Sequence, residues 1–349
     1  MIKVQYALTV GICVSTLALA GCGSSTTKAT GSTPTHEPTV VIGYENNGAD
    51  PEMVAIARGY FSKYMHAKVE LRYFSSGPAS LAALGSGALQ FMTGIGNPPA
   101  VAAIAQGVPL QVVWAQERYT TDEGLVVRKS SGIHSLSDLK GKQVALVVGS
   151  TSPFELDTAL TQNHIPTSSV SFNNMSPPSM VAAWERGQID AAYVWDPAFG
   201  TMLQNGGRAL MYDQNVYTTA PIFNLAVVNS TWAKTHSSLV NGFIEAEQAG
   251  YAYYKAHPQT AIAEMAKEAG ITVSLAKTEL SGYQLYNVQD QVGSLGLGVG
   301  SSASSSLVTK SLSSALKYLE TIHSVTGSPP SNMANYVNGS YAAAVAKKS

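Results

Sequence analysis

Residues 182–198 read AAWERGQIDAAYVWDPA, and this stretch decides how the chain folds. Apolar residues at helical spacing run up to Gly187, and glycine commonly terminates a helix. The uncharged run 191–194 then predicts a buried strand. Asp196-Pro197 opens another helix, because Asp can cap a helix and Pro is tolerated in its first turn. A helix, a buried strand and a second helix in succession are typical of α/β folds.

The same alternation continues outward in both directions from this stretch. Further strands are predicted at 39–43, 69–74, 89–93, 110–114, 143–148, 170–173 and 223–228. Helices are predicted to begin at Asp50 and at 75–78, and to occupy 97–106, 154–163, 180–187 and 197–204, whereas the chain after Thr231 is mostly helical. We therefore expect an α/β fold with open, mainly parallel sheets.

The composition is unusually poor in charge. Lys and Arg number 21 and Asp and Glu 22, together 12% of 349 residues, against about 25% in an average soluble protein. A net charge of -1 argues against a nucleic-acid partner, which requires a basic surface. A hydrophobic content of 45% excludes a disordered chain. Because few titratable groups mean little change of charge with pH, the composition favours acidic surroundings.

The N-terminus has the organisation of a secretory signal. Lys3 is followed by an uncharged stretch to Ala20, and Leu-Ala-Gly-Cys at 19–22 resembles the lipobox of bacterial lipoproteins, in which the cysteine receives a lipid. We expect a signal peptide at 1–21, lipidation of Cys22 and an extracytoplasmic chain attached to the membrane by its lipid anchor. The alternative is an ordinary cleaved signal that happens to contain a cysteine.

Residues 22–38 are rich in Gly, Ser, Thr and Pro, which predicts a flexible tether. No later stretch approaches 18 continuous apolar residues, so we expect no second membrane span. The other cysteine, Cys13, leaves with the signal, so the mature domain would have neither a disulfide nor a catalytic thiol.

The mature chain is expected to form two α/β lobes with a polar cleft between them. Lobe 1 would comprise 39–120, lobe 2 would comprise 121–220, and 221–349 would return to lobe 1 and add the C-terminal helices. The polar segments near 116–124 and 218–223 are the predicted crossings between the lobes.

Several motifs together resemble a known family. They are Ser-Ser-Gly-Pro-Ala-Ser at 75–80, Leu-Gly-Ser-Gly-Ala-Leu-Gln-Phe at 84–91, Leu-Ser-Asp-Leu-Lys-Gly-Lys at 136–142, Pro-Pro at 177–178 and the stretch 182–198. Their order and spacing resemble the periplasmic substrate-binding proteins for taurine, aliphatic sulfonates and nitrate, most of all the taurine binders. The resemblance covers 40–229 well and the helical tail loosely. It implies a type II periplasmic-binding fold, a monomer that delivers a small anionic or zwitterionic solute to the membrane subunits of an ABC permease, no cofactor and no catalysis.

Three predicted helix starts are candidates for holding an acid group. Backbone N–H groups at helix N-termini bind anions, and open α/β sheets place ligands at the carboxyl ends of their strands. The candidate residues are Ser76, Gly77, Asn97, Thr151 and Ser152. The last two also match the place where the family carries a histidine, which this chain lacks. The alternative is that all three starts are only helix caps.

A primary amine on the ligand would require a carboxylate, preferably beside an aromatic wall. Trp195 and Asp196 at a strand end are the first candidates, and Glu45 after the first strand is the second. Asp196 could instead only cap a helix, and Glu45 could be a solvated loop acid. Asn224 lies where taurine binders carry an acid, and Tyr119 could line the cleft or pack in the core.

An enzyme on the same fold is the less favoured alternative. The seven histidines are scattered without the spacing of metal ligands, and no hydrolase or metalloprotease motif occurs. We therefore expect a binding protein with no metal. Nitrate, bicarbonate and a pyrimidine precursor of thiamine remain alternative ligands.

Overall fold

The computed structural model describes residues 37–216, 221–325 and 329–348. The predicted signal peptide, Cys22 and the tether up to His36 lie outside these residues. Part of the second predicted crossing, 218–220, also lies outside them. Among the described residues, no helix has the length and apolar character that a membrane span requires.

Two separate sheets organise the described residues. The strands are β1 Thr39–Glu45, β2 Lys68–Phe74, β3 Phe91–Ile95, β4 Leu110–Tyr119, β5 Glu123–Arg128, β6 Gln143–Leu146, β7 Ser171–Asn174, β8 Ala191–Trp195, β9 Gly207–Tyr212, β10 Phe223–Asn229 and β11 Tyr283–Leu285. The first sheet has the order β11-β4-β10-β3-β1-β2, and the second has the order β7-β6-β8-β5-β9. We call the part built on the first sheet lobe 1 and the part built on the second sheet lobe 2.

The expectation of mainly parallel sheets is wrong. β1 runs parallel to β2 and β3, and β6 runs parallel to β7 and β8. In contrast, β10 is antiparallel to β3 and β4, and β5 is antiparallel to β8 and β9. The chain enters both β5 and β10 from the other sheet. Parallel neighbours in one sheet are joined by a helical crossover, and because no such crossover leads into β5 or β10, these strands can be antiparallel to their neighbours.

Helices cover both sheets. They are α1 Pro51–Ala57, α2 Tyr60–Met65, α3 Gly77–Gly85, α4 Asn97–Ala105, α5 Thr151–Gln162, α6 Pro177–Glu185, α7 Ala198–Gln204, α8 Ser230–Ala233, α9 Ser237–Ala256, α10 Pro258–Ala269, α11 Val273–Gly282, α12 Val288–Val292, α13 Leu307–Thr321 and α14 Ser340–Ala346. The predicted start of α1 is confirmed, because the Asp50 side chain accepts a hydrogen bond from Met53 N and Pro51 occupies the first turn.

Each lobe has its own apolar core. On one face of the first sheet, Phe91 of β3 stacks on Phe243 of α9 with ring centroids 4.3 Å apart. The opposite face packs against α3, α4 and α13. In lobe 2, Trp184 and Tyr193 are fully buried. Burial on both faces explains why the central strands read as continuous apolar runs.

The interior is rich in carboxyl groups. Eleven acidic side chains are buried, namely Glu45, Asp50, Glu52, Glu117, Asp122, Glu123, Glu155, Asp196, Asp213, Glu247 and Glu279. No lysine or arginine is among the buried side chains of the described residues. The pKa of each of the eleven is raised, chiefly because burial removes water from the charged form.

These raised pKa values predict that the protein is most stable in acid. For an acid whose pKa is higher in the folded state, the folded chain binds more protons, so stability is full below the unfolded pKa near 4 and declines as pH rises through the folded value. Burial raises the pKa of Asp50 to about 7 and of Glu52 to about 8. We expect the melting temperature of the mature chain to be about 10 °C higher at about pH 4.5 than at about pH 7.5.

A matched pair of variants isolates the cause. Glu247 is buried and faces Asp50, Glu52 and Glu117, so Glu247→Gln should raise the melting temperature near pH 7.5 with little effect near pH 4.5. Glu320→Gln, at an exposed position, should leave both values unchanged. A wild-type melting temperature that increases over this pH range would contradict the interpretation.

Candidate functional site

A small cavity lies between the two lobes. Six of the ten predicted ligand-binding residues line it, namely Glu45, Gly77, Tyr119, Thr151, Trp195 and Asn224. Glu45, Tyr119 and Trp195 end strands, Gly77 and Thr151 begin helices, and Asn224 lies near the start of the antiparallel strand β10. The cavity therefore lies at the sheet edges where open α/β folds place ligands.

The N-termini of three helices meet at this cavity. Gly77 begins α3, Gly96 immediately precedes α4, and Thr151 begins α5. The first turn of each of these helices contains at least one proline, which has no N–H group. The N–H of the first helical residue is therefore the main backbone donor that each terminus offers, and the helix dipole makes all three termini partly positive.

The two lobes touch directly at the cavity. A methyl group placed on Gly96 of lobe 1 would lie only 2.3 Å from Thr151 Cγ2 of lobe 2. A methyl group on Gly149 of lobe 2 would lie 3.5 Å from Pro78 Cγ of lobe 1. The described arrangement is thus a closed one, and the absence of a side chain at Gly96 permits it.

The hydroxyl groups of Thr151 and Ser152 are engaged by a buried acid. Thr151 Oγ1 donates to the Glu123 carboxylate at 2.7 Å, and Ser152 Oγ donates to it at 2.8 Å. Ser152 does not line the cavity, and neither does Ser76, which precedes α3. Burial raises the pKa of Glu123 to about 7, while these two hydroxyls favour its charged form. Glu123 thereby orients the start of α5 toward the cavity.

Glu45 places an unpaired carboxyl group at the cavity. Its side chain is 4% exposed, and its Oε1 atom has no hydrogen-bond partner among the described residues. A methyl group on Gly77 would lie 3.1 Å from this oxygen, so the carboxyl group is next to the start of α3. The pKa of Glu45 is raised well above its usual range, mainly by burial and to a smaller extent by repulsion from Glu123.

Two aromatic residues and an amide complete the wall. Asn224 Nδ2 donates to Tyr119 Oη at 2.8 Å and also to the Glu117 carboxylate. Tyr119 stacks on Tyr283 with centroids 5.5 Å apart. These contacts hold the phenol in place, and Trp195, which is 5% exposed, lies at the same cavity.

Asn97 and Asp196 point their side chains into the protein instead. Asn97 Nδ2 donates to Pro221 O at 2.5 Å, and its Oδ1 accepts from Phe223 N at 3.0 Å, so it attaches the returning strand to α4. Asp196 Oδ1 accepts from Gly200 N at 2.6 Å, and its carboxyl group is hydrogen-bonded to that of Asp122. Neither side chain lines the cavity.

Five residues that line the cavity were not singled out from the sequence, namely Asn47, Gly94, Gly96, Pro99 and Ser150. The two glycines in Thr-Gly-Ile-Gly at 93–96 were the sequence feature that could have pointed to this part of the wall. Glycine is favoured where the backbone has a positive φ, and Gly94 has a φ of 77°. Asn47 Nδ2 donates to Gly94 O at 3.1 Å. Among the described residues, no group of three or more His, Cys, Asp or Glu is arranged to hold a metal ion.

Comparison with known proteins identifies the family. Residues 46–261 match the family described as NMT1/THI5 like. The chain belongs to this family. It is 34% identical over 219 residues to the taurine-binding periplasmic protein of Escherichia coli K12, which covers 63% of this chain and 67% of that protein. It is 27% identical over 255 residues to a putative aliphatic sulfonates-binding protein of the same organism, covering 73% and 79% respectively.

A solved structure confirms the fold. The alkanesulfonate-binding protein SsuA of Xanthomonas axonopodis pv. citri, bound to MOPS, superposes with a TM-score of 0.69 over 88% of this chain and 98% of that one, at 19% identity. The predicted periplasmic-binding architecture is therefore correct. These relatives are binding proteins rather than enzymes, which agrees with the preference for a binding protein over an enzyme.

The contact at Gly96 yields a test of closure. Gly96→Ala should weaken the binding of taurine, used here as the probe, about tenfold or more, because overpacking this contact would cost about 1–3 kcal/mol in the closed form. The backbone at Gly96, with φ −70° and ψ 165°, accepts alanine without strain. Isothermal titration calorimetry measures the effect.

Gly293→Ala is the matched control, because a methyl group there would meet atoms no closer than 3.5 Å, which is an ordinary contact. It should bind taurine as the wild type does. Unchanged affinity in Gly96→Ala would show that binding does not require this approach of the lobes.

Proposed function

We propose that the chain is the extracytoplasmic, lipid-anchored solute-binding component of an ABC importer, and that it binds taurine or a related small sulfonate. The observation that carries this proposal is the meeting of three helix N-termini and one unpaired carboxyl group at a single buried cavity. The family relatives named for taurine and aliphatic sulfonates support the same ligand class.

The acid end of the ligand meets uncharged donors. None of the described residues that line the cavity is a lysine, arginine or histidine. The N–H groups at the starts of α3, α4 and α5 supply partial positive charge without a counter-ion. A sulfonate remains ionised throughout the pH range in which proteins are folded, so such donors bind it without any exchange of protons.

The amine end of the ligand meets Glu45. Its carboxyl group is buried and unpaired at the cavity, whereas the Asp196 carboxyl group is hydrogen-bonded to Gly200 N and Asp122. A ligand ammonium group would favour the charged form of Glu45 and lower its raised pKa. A zwitterion therefore binds with release of a proton from Glu45.

Features of the sequence and the name of one relative support the proposed location. The lipobox-like motif ending at Cys22 and the polar stretch after it support a lipid anchor and a tether outside the cytoplasm. The relative of Escherichia coli that is 34% identical is named as periplasmic. In this arrangement a monomer captures the solute near the membrane and delivers it to the permease subunits of the importer.

A pair of ligands that differ only in the amine tests the assignment. Taurine and ethanesulfonate share the sulfonate and the two-carbon chain. Glu45→Gln should weaken taurine about 30-fold or more, since breaking a buried charge pair costs about 2–5 kcal/mol. Ethanesulfonate should change by no more than about threefold, because it makes no charge pair with Glu45. Calorimetric titration gives both constants.

Two controls accompany this measurement. Asp196→Asn, whose amide oxygen can still accept from Gly200 N, should affect both ligands equally. In the wild type, taurine affinity should increase with pH as Glu45 loses its proton, and ethanesulfonate affinity should decrease as the new charge repels it. Failure of the wild type to bind any small sulfonate would refute the proposed function, and equal losses in Glu45→Gln would remove Glu45 as the amine partner.

A further inference from the structure

The helix α13, in the C-terminal part of the chain, contacts both lobes. In lobe 1 it packs against α4 and the adjoining face of the first sheet. Near its C-terminal end, the Tyr318 side chain packs against the core of lobe 1 and also against the core of lobe 2. Tyr318 therefore belongs to the contact between the lobes, although it does not line the cavity.

On the side of lobe 1, α13 is attached to the start of α4. Asn97 Nδ2 donates a hydrogen bond to Ser311 Oγ, and Ser311 Oγ donates to Pro221 O at 3.0 Å. Both Asn97 and Ser311 are buried, so water does not compete for these bonds. The helix α13 is thus fixed to the helix start at Gly96, one of the three that meet at the cavity.

On the side of lobe 2, Tyr318 contacts α5 in two ways. Its Oη atom donates to Asp157 Oδ2 at 3.0 Å, and its ring centroid lies 4.9 Å from that of Phe154. Phe154 and Asp157 follow Thr151 by about one and two turns, so both belong to the helix whose start lies at the cavity. The position of α5 relative to α13 therefore affects the position of Thr151.

The helix α13 thus connects, at a distance from the ligand, the two helices that approach each other at Gly96 and Thr151. Ser311 and Tyr318 lie about two turns apart on one face of α13, with the first side chain bonded to α4 and the second to α5. A bond between helices of opposite lobes favours the arrangement in which the lobes are together.

We propose that Tyr318 is a positioning residue that holds the lobes closed over the ligand, acting through α5. Its contacts with Phe154 and Asp157, which we call the latch, form on closure and are lost on opening. The inference rests on the proposed function, since it concerns closure on a bound solute. A ligand that binds the closed form has an affinity proportional to the fraction of molecules in that form, so loss of the latch weakens binding without removing any contact to the ligand.

Tyr318→Phe keeps the ring beside Phe154 and removes the hydroxyl that donates to Asp157. Taurine should bind the mature variant about threefold to tenfold more weakly than the wild type, since one hydrogen bond is lost in the closed form. In stopped-flow measurements of the fluorescence of Trp195 at the cavity, the dissociation rate constant should increase by this factor, and the association rate constant should change by no more than about twofold. The melting temperature without ligand should be unchanged, because the open form lacks the latch.

Variants of the acceptor separate the hydrogen bond from a general loss of packing. Asp157→Ala should weaken taurine binding by a similar factor, and adding Tyr318→Phe to it should cause no further loss, because each change removes the same bond. Asp157→Asn, whose amide oxygen can still accept from Tyr318, should keep most of the wild-type affinity.

Tyr336→Phe is the matched control. Among the described residues, Tyr336 packs against the core of lobe 1 and is not one of those packed against the core of lobe 2. This variant should bind and release taurine as the wild type does.

The outcomes separate this inference from the proposed function. Taurine binding that is unchanged in Tyr318→Phe and Asp157→Ala would overturn the inference alone, as would a loss of affinity that arises from slower association or accompanies a lower melting temperature without ligand. Absence of binding of both taurine and ethanesulfonate to the wild type would overturn the proposed function, and this inference with it.

Discussion

The site depends on the approach of two helix starts from opposite lobes, α4 at Gly96 and α5 at Thr151. An anion that enters a protein loses its hydration, and none of the described residues that line the cavity is a lysine or arginine that could compensate for this loss. The partial positive charge of a helix N-terminus attracts an anion only near the first turn of the helix. The three helix N-termini must therefore all lie close to the bound anion. Closure of the lobes supplies that convergence, and the Glu123 carboxylate, by accepting from Thr151 and Ser152, holds the third helix start in place.

The low charge of the chain has a structural counterpart in its interior. Eleven of its 22 acidic residues are buried with raised pKa values, so the surface carries even fewer charges than the composition indicates. A carboxyl group that stays protonated costs little to bury, whereas an ionised one costs a great deal. Such an interior is expected to be most stable in acid, so the fold is linked to the pH at which the protein is stable.

The alternation of strands and helices was predictable from the sequence. Of the ten ligand-binding residues predicted from it, six line the cavity. It did not predict β5, β9 or β11. The chain enters β5 directly from β4 of the other sheet, without a preceding helix, and β11 is only three residues long. Asn97 and Asp196 show the limit for side chains. Each lies at a strand end beside a helix start, but whether such a side chain faces the ligand or is engaged within the protein depends on tertiary contacts, here of Asn97 with Phe223 and of Asp196 with Asp122. Glu123 was missed because its partners are 28 and 29 residues away.

A crystal structure of the taurine complex tests the central claim most directly. The sulfonate oxygens should accept hydrogen bonds from the backbone N–H groups of Gly77, Asn97 and Thr151, and the amine should lie within hydrogen-bond distance of the Glu45 carboxylate. A sulfonate paired with a lysine or arginine side chain, or an amine placed away from Glu45, would contradict it.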